Sequence, residues 1–198
     1  MKRAVHRGQY IAYQTFEGPT SNAATVLLQH GLLSRRKSWE DVGYVDALTA
    51  NFNVITVDSL GHGDSDKPND ATFYARKQRA GDVVAVLDAE SITSVHYIGY
   101  SMGGWIGTGM ALHHPDRLTS LTIGGWDPIG GLSTDPAIGT FDDLFKRARV
   151  SAPTLTPRIT SNVLPGLEAC WNALKETDCS EVALSDLDVP VLLWSGLA

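Results

Sequence analysis

VHYIGYSMGGWIG, residues 95–107, is the stretch whose reading decides the fold. VHYIGY is β-branched, aromatic and apolar, as in a strand covered on both faces. MGGWIGTGMALHH, which follows, can form a helix; its glycines weaken it in isolation but permit close packing on a sheet. Between the two stands Ser101, in the pattern G-x-S-x-G over residues 99–103. At a sharp strand-to-helix turn the serine backbone is strained, and glycines on both sides avoid side-chain collisions. The hydroxyl then stands exposed near the positive end of the following helix. The pattern alone arises by chance in many chains. Its place between an apolar strand and a helix makes Ser101 a candidate nucleophile rather than an ordinary turn serine.

Working outward, TVLLQ (25–29), NVITVD (53–58), LTSLTIGG (118–125) and VPVLLW (189–194) are short apolar runs of the same kind. QYIAYQTF (9–16) alternates and predicts an antiparallel hairpin arm at the sheet edge. In RAGDVVAVLDAE (79–90), Ala80, Val83, Val84 and Leu87 form one helical stripe, and Pro115 ends the helix that leaves Ser101. Strands alternating with helices predict a doubly wound, mostly parallel α/β sheet. Residues 127–187 hold amphipathic pieces such as FDDLFKRARV but no clear strand, and predict a helical cap insertion. The expected organisation is one incomplete domain over 1–198, with core 1–126, cap 127–187 and a penultimate core strand within 188–198.

Composition narrows the function. The 198 residues carry 16 basic and 22 acidic side chains, a net charge of −6. The longest basic cluster is Arg35-Arg36-Lys37, so neither nucleic acid nor an anionic membrane surface is the expected partner. No apolar run is long enough to span a bilayer, and the N-terminus lacks a signal-peptide core, giving an expected cytoplasmic location. Cys170 and Cys179 are then expected to be free thiols.

A nucleophile needs an oxyanion hole and a base. His30-Gly31 ends the run TVLLQ, and the loop after it can bring the Leu32 amide beside the elbow. With the amide of Met102, the residue after the serine, that makes two oxyanion donors. The loop DSLGHGDSDKP (58–68) is a tight turn at the same sheet end. His62 within it is read as structural, because in the serine order of this arrangement the base follows the nucleophile in sequence. His30 is likewise read as a turn histidine. Residues 99–109 are glycine-rich, yet no G-x-G-x-x-G stands at the turn and no acidic residue ends the next strand, so no dinucleotide site is expected. No cofactor and no metal ligand set is predicted.

QHGLLS, VDSLGHGDSDKP, YIGYSMGG, ALHHPDRLTSLTIGG and VPVLLWSG, in this order, resemble the α/β-hydrolase family from about residue 9 to the end of the chain. The resemblance implies Ser101 as nucleophile and Leu32 and Met102 as oxyanion donors. A serine at the elbow is unlike the haloalkane dehalogenase and epoxide hydrolase branches. It is similar to esterases, lipases, lactonases and carbon–carbon bond hydrolases, and implies a small ester-like substrate.

The resemblance also places an acid after strand seven and a histidine after strand eight. From Gly196, the family's G-x-x-D pattern would put the aspartate just past Ala198. His113 and His114 lie three helical turns, ~17 Å, from the serine, too far to act as base. Asp127 is a weaker alternative acid. The expectation is therefore the N-terminal part of a longer serine hydrolase, with little turnover by itself. The rival expectation is a non-catalytic binding protein of the same fold; a third is a cofactor-free oxygenase or peroxidase. The aromatics Trp126, Phe141, Phe145 and Trp171 suit either an acyl pocket or the insertion's own small core.

Overall fold

The computed structural model describes residues 1–132, 139–151, 153, 159–176 and 180–196. Seven strands form one sheet: β1 (Lys2–His6), β2 (Gln9–Phe16), β3 (Thr25–Gln29), β4 (Asn53–Val57), β5 (Val95–Tyr100), β6 (Leu118–Gly124) and β7 (Val191–Trp194). Their order is β1-β2-β4-β3-β5-β6-β7. β3, β4, β5, β6 and β7 are mutually parallel, and β2 joins β4 antiparallel. This is the α/β architecture read from the alternating pattern. The hairpin arm is also present, but QYIAYQTF is its inner strand; KRAVH, β1, is the outermost.

The chain moves from β3 to β4 on one side and then crosses back to β5 on the other. That reversal between β3 and β5 is the point where open α/β sheets bind ligands, at the carboxyl ends of the strands. The loops after β3, β4 and β5 therefore converge there.

The crossovers cover the two faces unequally. α1 (Ser38–Asp41) and α2 (Tyr44–Thr49) follow β3, α3 (Arg76–Ala89) follows β4, and α4 (Met102–His113) follows β5. α3 and α4 seal one face, where Leu27, Ile55, Tyr97 and Leu121 pack with Val83, Leu87, Ile106 and Met110. On the other face a smaller group, Val26, Leu28 and Val54, packs under Trp39 and Val45. β7 is exposed along its whole length. The predicted stripe of α3 is buried at Ala80, Val83 and Leu87 and half-buried at Val84. α3 also buries Arg76, Arg79 and Asp82. Arg79 donates to the Leu60 carbonyl at 2.8 Å, Asp82 Oδ1 meets His6 Nδ1 at 2.8 Å, and Asp82 Oδ2 lies 3.6 Å from Arg79 Nε.

After β6 come α5 (Phe141–Ser151), α6 (Leu164–Ala173) and α7 (Ser180–Ser185), with no strand before β7 among the described residues. Phe141 and Trp171 are buried in the main core, and Trp126 and Phe145 pack against it. These aromatics thus join the body of the protein rather than forming a separate small core. Cys170 is a buried free thiol whose pKa burial pushes up to about 12; Cys179 lies outside the described residues. Among the described residues no helix is long and apolar enough to cross a membrane.

Candidate active site

Ser101 joins β5 to α4 with φ 53° and ψ −115°, a backbone that a side-chain-bearing residue rarely adopts. Such strain costs about 1–3 kcal/mol and persists only where the surroundings hold it. Here they do. The Ser101 amide donates to the Gly124 carbonyl at 2.7 Å, and its carbonyl accepts from the Trp105 amide at 3.1 Å. A Cβ at Gly99 would collide with the Gly103 carbonyl, and one at Gly103 with the Gln29 carbonyl. The two flanking glycines thus let α4 descend onto β3 and β5, as the pattern requires. Tyr97 locks the arrangement by donating its hydroxyl to the Gly103 carbonyl at 2.8 Å.

The loop after β3 passes directly over this turn. A Cβ on Gly31 would lie 3.3 Å from Ser101 Cβ. Leu32 and Ser101 line one cavity of about 370 Å³, walled by Trp39, Val42, Tyr44, Tyr100 and Trp194. The Leu32 amide has no protein acceptor among the described residues. Met102 is the first residue of α4, so its amide has no intrahelical acceptor. The next amide, Leu33, is not free: it donates to His62 Nε2 at 3.3 Å.

Two histidines sit close by, and both are engaged. His30 donates from Nδ1 to the Gly31 carbonyl (2.8 Å) and accepts at Nε2 from the Ser59 amide (3.0 Å). His62 donates from Nδ1 to the Leu60 carbonyl (3.2 Å) while its Nε2 holds Leu33. These directions assign each ring as the neutral Nδ1–H tautomer. Burial is the first cause that keeps them neutral, lowering His30 to about 4 and His62 well below the usual imidazole value. The rings lie 5.1 Å apart and staple the loop after β3 to the loop after β4. Neither ring can take a proton without abandoning an amide, in agreement with their reading as structural residues.

The GHGDSDKP loop is cinched by the buried Asp58, which accepts from the Arg36 amide at 2.7 Å, the Asp64 amide at 3.0 Å and the Arg36 guanidinium. Gly63 has φ 51° and lies so close to the Asp58 carboxylate that no side chain fits there. Ser65 donates to the Asp58 carbonyl at 2.6 Å and accepts from the Ala12 amide at 2.8 Å, tying the loop to β2.

The remaining candidates separate. His113 and His114 stand at the far end of α4 from Ser101. Asp127 is exposed, and its Oδ1 closes its own turn by accepting from the amides of Ile129 (2.9 Å) and Gly130 (2.8 Å). No described residue forms a hydrogen bond with the Ser101 hydroxyl. Among the described residues, no group of three or more potential ligands could hold a metal ion. The walls Trp39, Tyr44, Tyr100 and Trp194 were not found from sequence. The usable signal was strand alternation: Tyr100 pairs with Gly124 and Gly124 with Trp194, which stacks the two rings at 5.6 Å.

Residues 24–159 match the model of the α/β hydrolase fold family. The chain is 34% identical over 146 residues to the protein designated carbamate hydrolase RutD of Caulobacter segnis, covering 72% of this chain and 54% of that one. It spans about half the length of such curated relatives. It is 26% identical over 214 residues to 3-oxoadipate enol-lactonase 1 of Acinetobacter baylyi, covering 97% of this chain and 77% of the relative. The crystal structure of the enol-lactonase from Burkholderia xenovorans LB400 superposes with a TM-score of 0.80 at 23% identity, covering 98% of this chain and 81% of that one. With the sheet order, the strained serine and the family match in agreement, the chain belongs to the α/β hydrolase fold family.

Proposed function

We propose that this chain carries the nucleophile and oxyanion donors of a serine hydrolase acting on carboxylic esters, lactones or a related acyl bond. The observation that carries the reading is the strained Ser101 backbone, held between Gly99 and Gly103 with Leu32 on the wall of the same cavity. Strain of this kind, at a strand-to-helix turn, presents a hydroxyl at the sheet end. Ser101 Oγ attacks the carbonyl carbon as a base takes its proton; the base returns that proton to the leaving oxygen as the C–O bond breaks, and water then releases the acyl group from Ser101. The amides of Leu32 and Met102 hold the negative charge that develops on the carbonyl oxygen. The apolar walls of the cavity suit an uncharged, hydrophobic portion of the substrate. Relatives named as an enol-lactonase and a carbamate hydrolase support carbonyl chemistry of this class.

The base is not among the described residues, since His30 and His62 are engaged and neutral. Turnover by these residues alone is therefore expected to be weak and open to rescue by an external base. Hydrolysis of a p-nitrophenyl ester with increasing imidazole tests this. The difference in rate between the native chain and Ser101→Ala should grow with imidazole. A difference of zero at every imidazole concentration, with retained binding of the ester, would favour a binding protein that keeps the pocket without the chemistry.

A further inference from the structure

A second cavity, of about 310 Å³, opens beside the first and shares Ser34 and Ser38 with it. Those two hydroxyls are bonded to each other at 2.7 Å. Its lining includes the cations Arg35, Lys37 and Lys67, the carboxylates Asp41 and Asp64, and the aliphatic side chains of Ile159, Val163 and Leu167. The basic cluster that looked unremarkable in an acidic chain is thus gathered on one cavity.

The cations of this lining are unequally spent. Arg36, also in the lining, is held by Asp58 and Asp64. Arg35 and Lys37 share a single carboxylate, Asp41, at 3.8 and 2.9 Å. Lys67 has no ion pair among the described residues. Its ammonium donates to two carbonyls, those of Gly63 and Ser65, both at 2.7 Å, which leaves one of three hydrogens unplaced. Burial is the first cause that lowers its pKa, against the raising influence of Asp58, Asp64 and Asp66 at longer range. A half-buried ammonium without a paired carboxylate, in a cavity that aliphatic side chains also line, matches an anion with a hydrocarbon body.

We infer that this cavity is a subsite for an organic anion, so that the preferred substrates carry a carboxylate remote from the reacting carbonyl. The inference rests on the proposed role of Ser101, because only that role makes the contents of the neighbouring cavity part of a substrate. Leu32 lines the Ser101 cavity, Leu33 lines the second one, and Ser34 and Ser38 line both, so the two cavities adjoin.

The experiment titrates hexanoate and pentan-1-ol, which share a pentyl body with and without charge, into the native chain by NMR. Hexanoate should bind about tenfold more tightly than the alcohol, and Lys67→Gln should lose about that factor. Because Lys67 also holds the 63–65 turn, Lys37→Gln is the second variant; it leaves that turn intact and should lose about threefold. Equal binding of the two probes, or hexanoate binding unchanged in both variants, overturns the subsite. Acylation of Ser101 by neutral p-nitrophenyl acetate with imidazole, measured by intact mass in the same samples, separates the two claims. Hexanoate binding without acylation leaves the anion cavity standing and removes the nucleophile; acylation without hexanoate preference does the reverse.

Discussion

Two constellations of polar residues lie side by side at the carboxyl end of the sheet. Around His30 and His62, hydrogen-bonding capacity is consumed: each ring holds one carbonyl and one amide, and Asp58 holds two amides and a guanidinium. At the elbow it is left open: the Ser101 hydroxyl and the Leu32 amide have no partner among the described residues, while the surrounding backbone is tightly fixed. Both regions contain residues that do chemistry in other proteins. The difference teaches that residue type alone does not leave a group available; an imidazole that holds two backbone groups is spent, whereas a hydroxyl or amide without a partner in a rigid frame is not.

The comparison breaks most visibly at the frame. Gly103→Val should cost more than about 4 kcal/mol, because its Cβ meets the Gln29 carbonyl, which the sheet holds in place. Urea unfolding should find little folded protein; a stability near the native one would mean that the elbow is not close-packed.

The histidine staple predicts a pH dependence of definite sign. His30 titrates near 6.5 when unfolded but near 4 when folded, and His62 is shifted the same way. Between those values the unfolded chain binds more protons, so stability falls as pH drops below about 6.5. His30 alone contributes about 2 kcal/mol of that loss by pH 5. His62→Asn, which keeps a donor and an acceptor without titrating there, should make the fall of the urea midpoint between pH 7 and 5 shallower, leaving the share of His30. An unchanged slope would show that the His62 staple does not set it.

The smallest effect expected is a gain. Ser101→Gly relieves the positive φ and should stabilise the fold by about 1 kcal/mol while removing the proposed nucleophile. A loss of stability would place the strain elsewhere.

Much of this arrangement was legible in the chain. β3, β4, β5, β6 and β7 are compact apolar runs, and a strand buried on both faces needs little else to be recognised. β1 escaped because KRAVH is an edge strand with Lys2, Arg3 and His6 on it. α1 and α2, of four and six residues, are too short to show a helical period. The buried Arg76, Arg79 and Asp82 lie on a helix whose apolar stripe gave no warning, since their partners come from distant positions such as His6, Leu60 and Ser180. The serine was visible because its pattern is local. The aromatic cavity wall was not, because Trp194 meets Tyr100 only through the pairing of β5, β6 and β7. The mutual position of His30 and His62 was hidden for the same reason, although each was already read as structural.

The central proposal is that Ser101 is a nucleophile in a preformed frame, which an added base can activate. The direct measurement treats the native chain with a fluorophosphonate, with and without imidazole, and maps the adduct by peptide mass. A single adduct on Ser101 that increases with imidazole, and is absent in Ser101→Ala, is the predicted result. An adduct located on another residue, or none at any imidazole concentration in a folded sample, would contradict it.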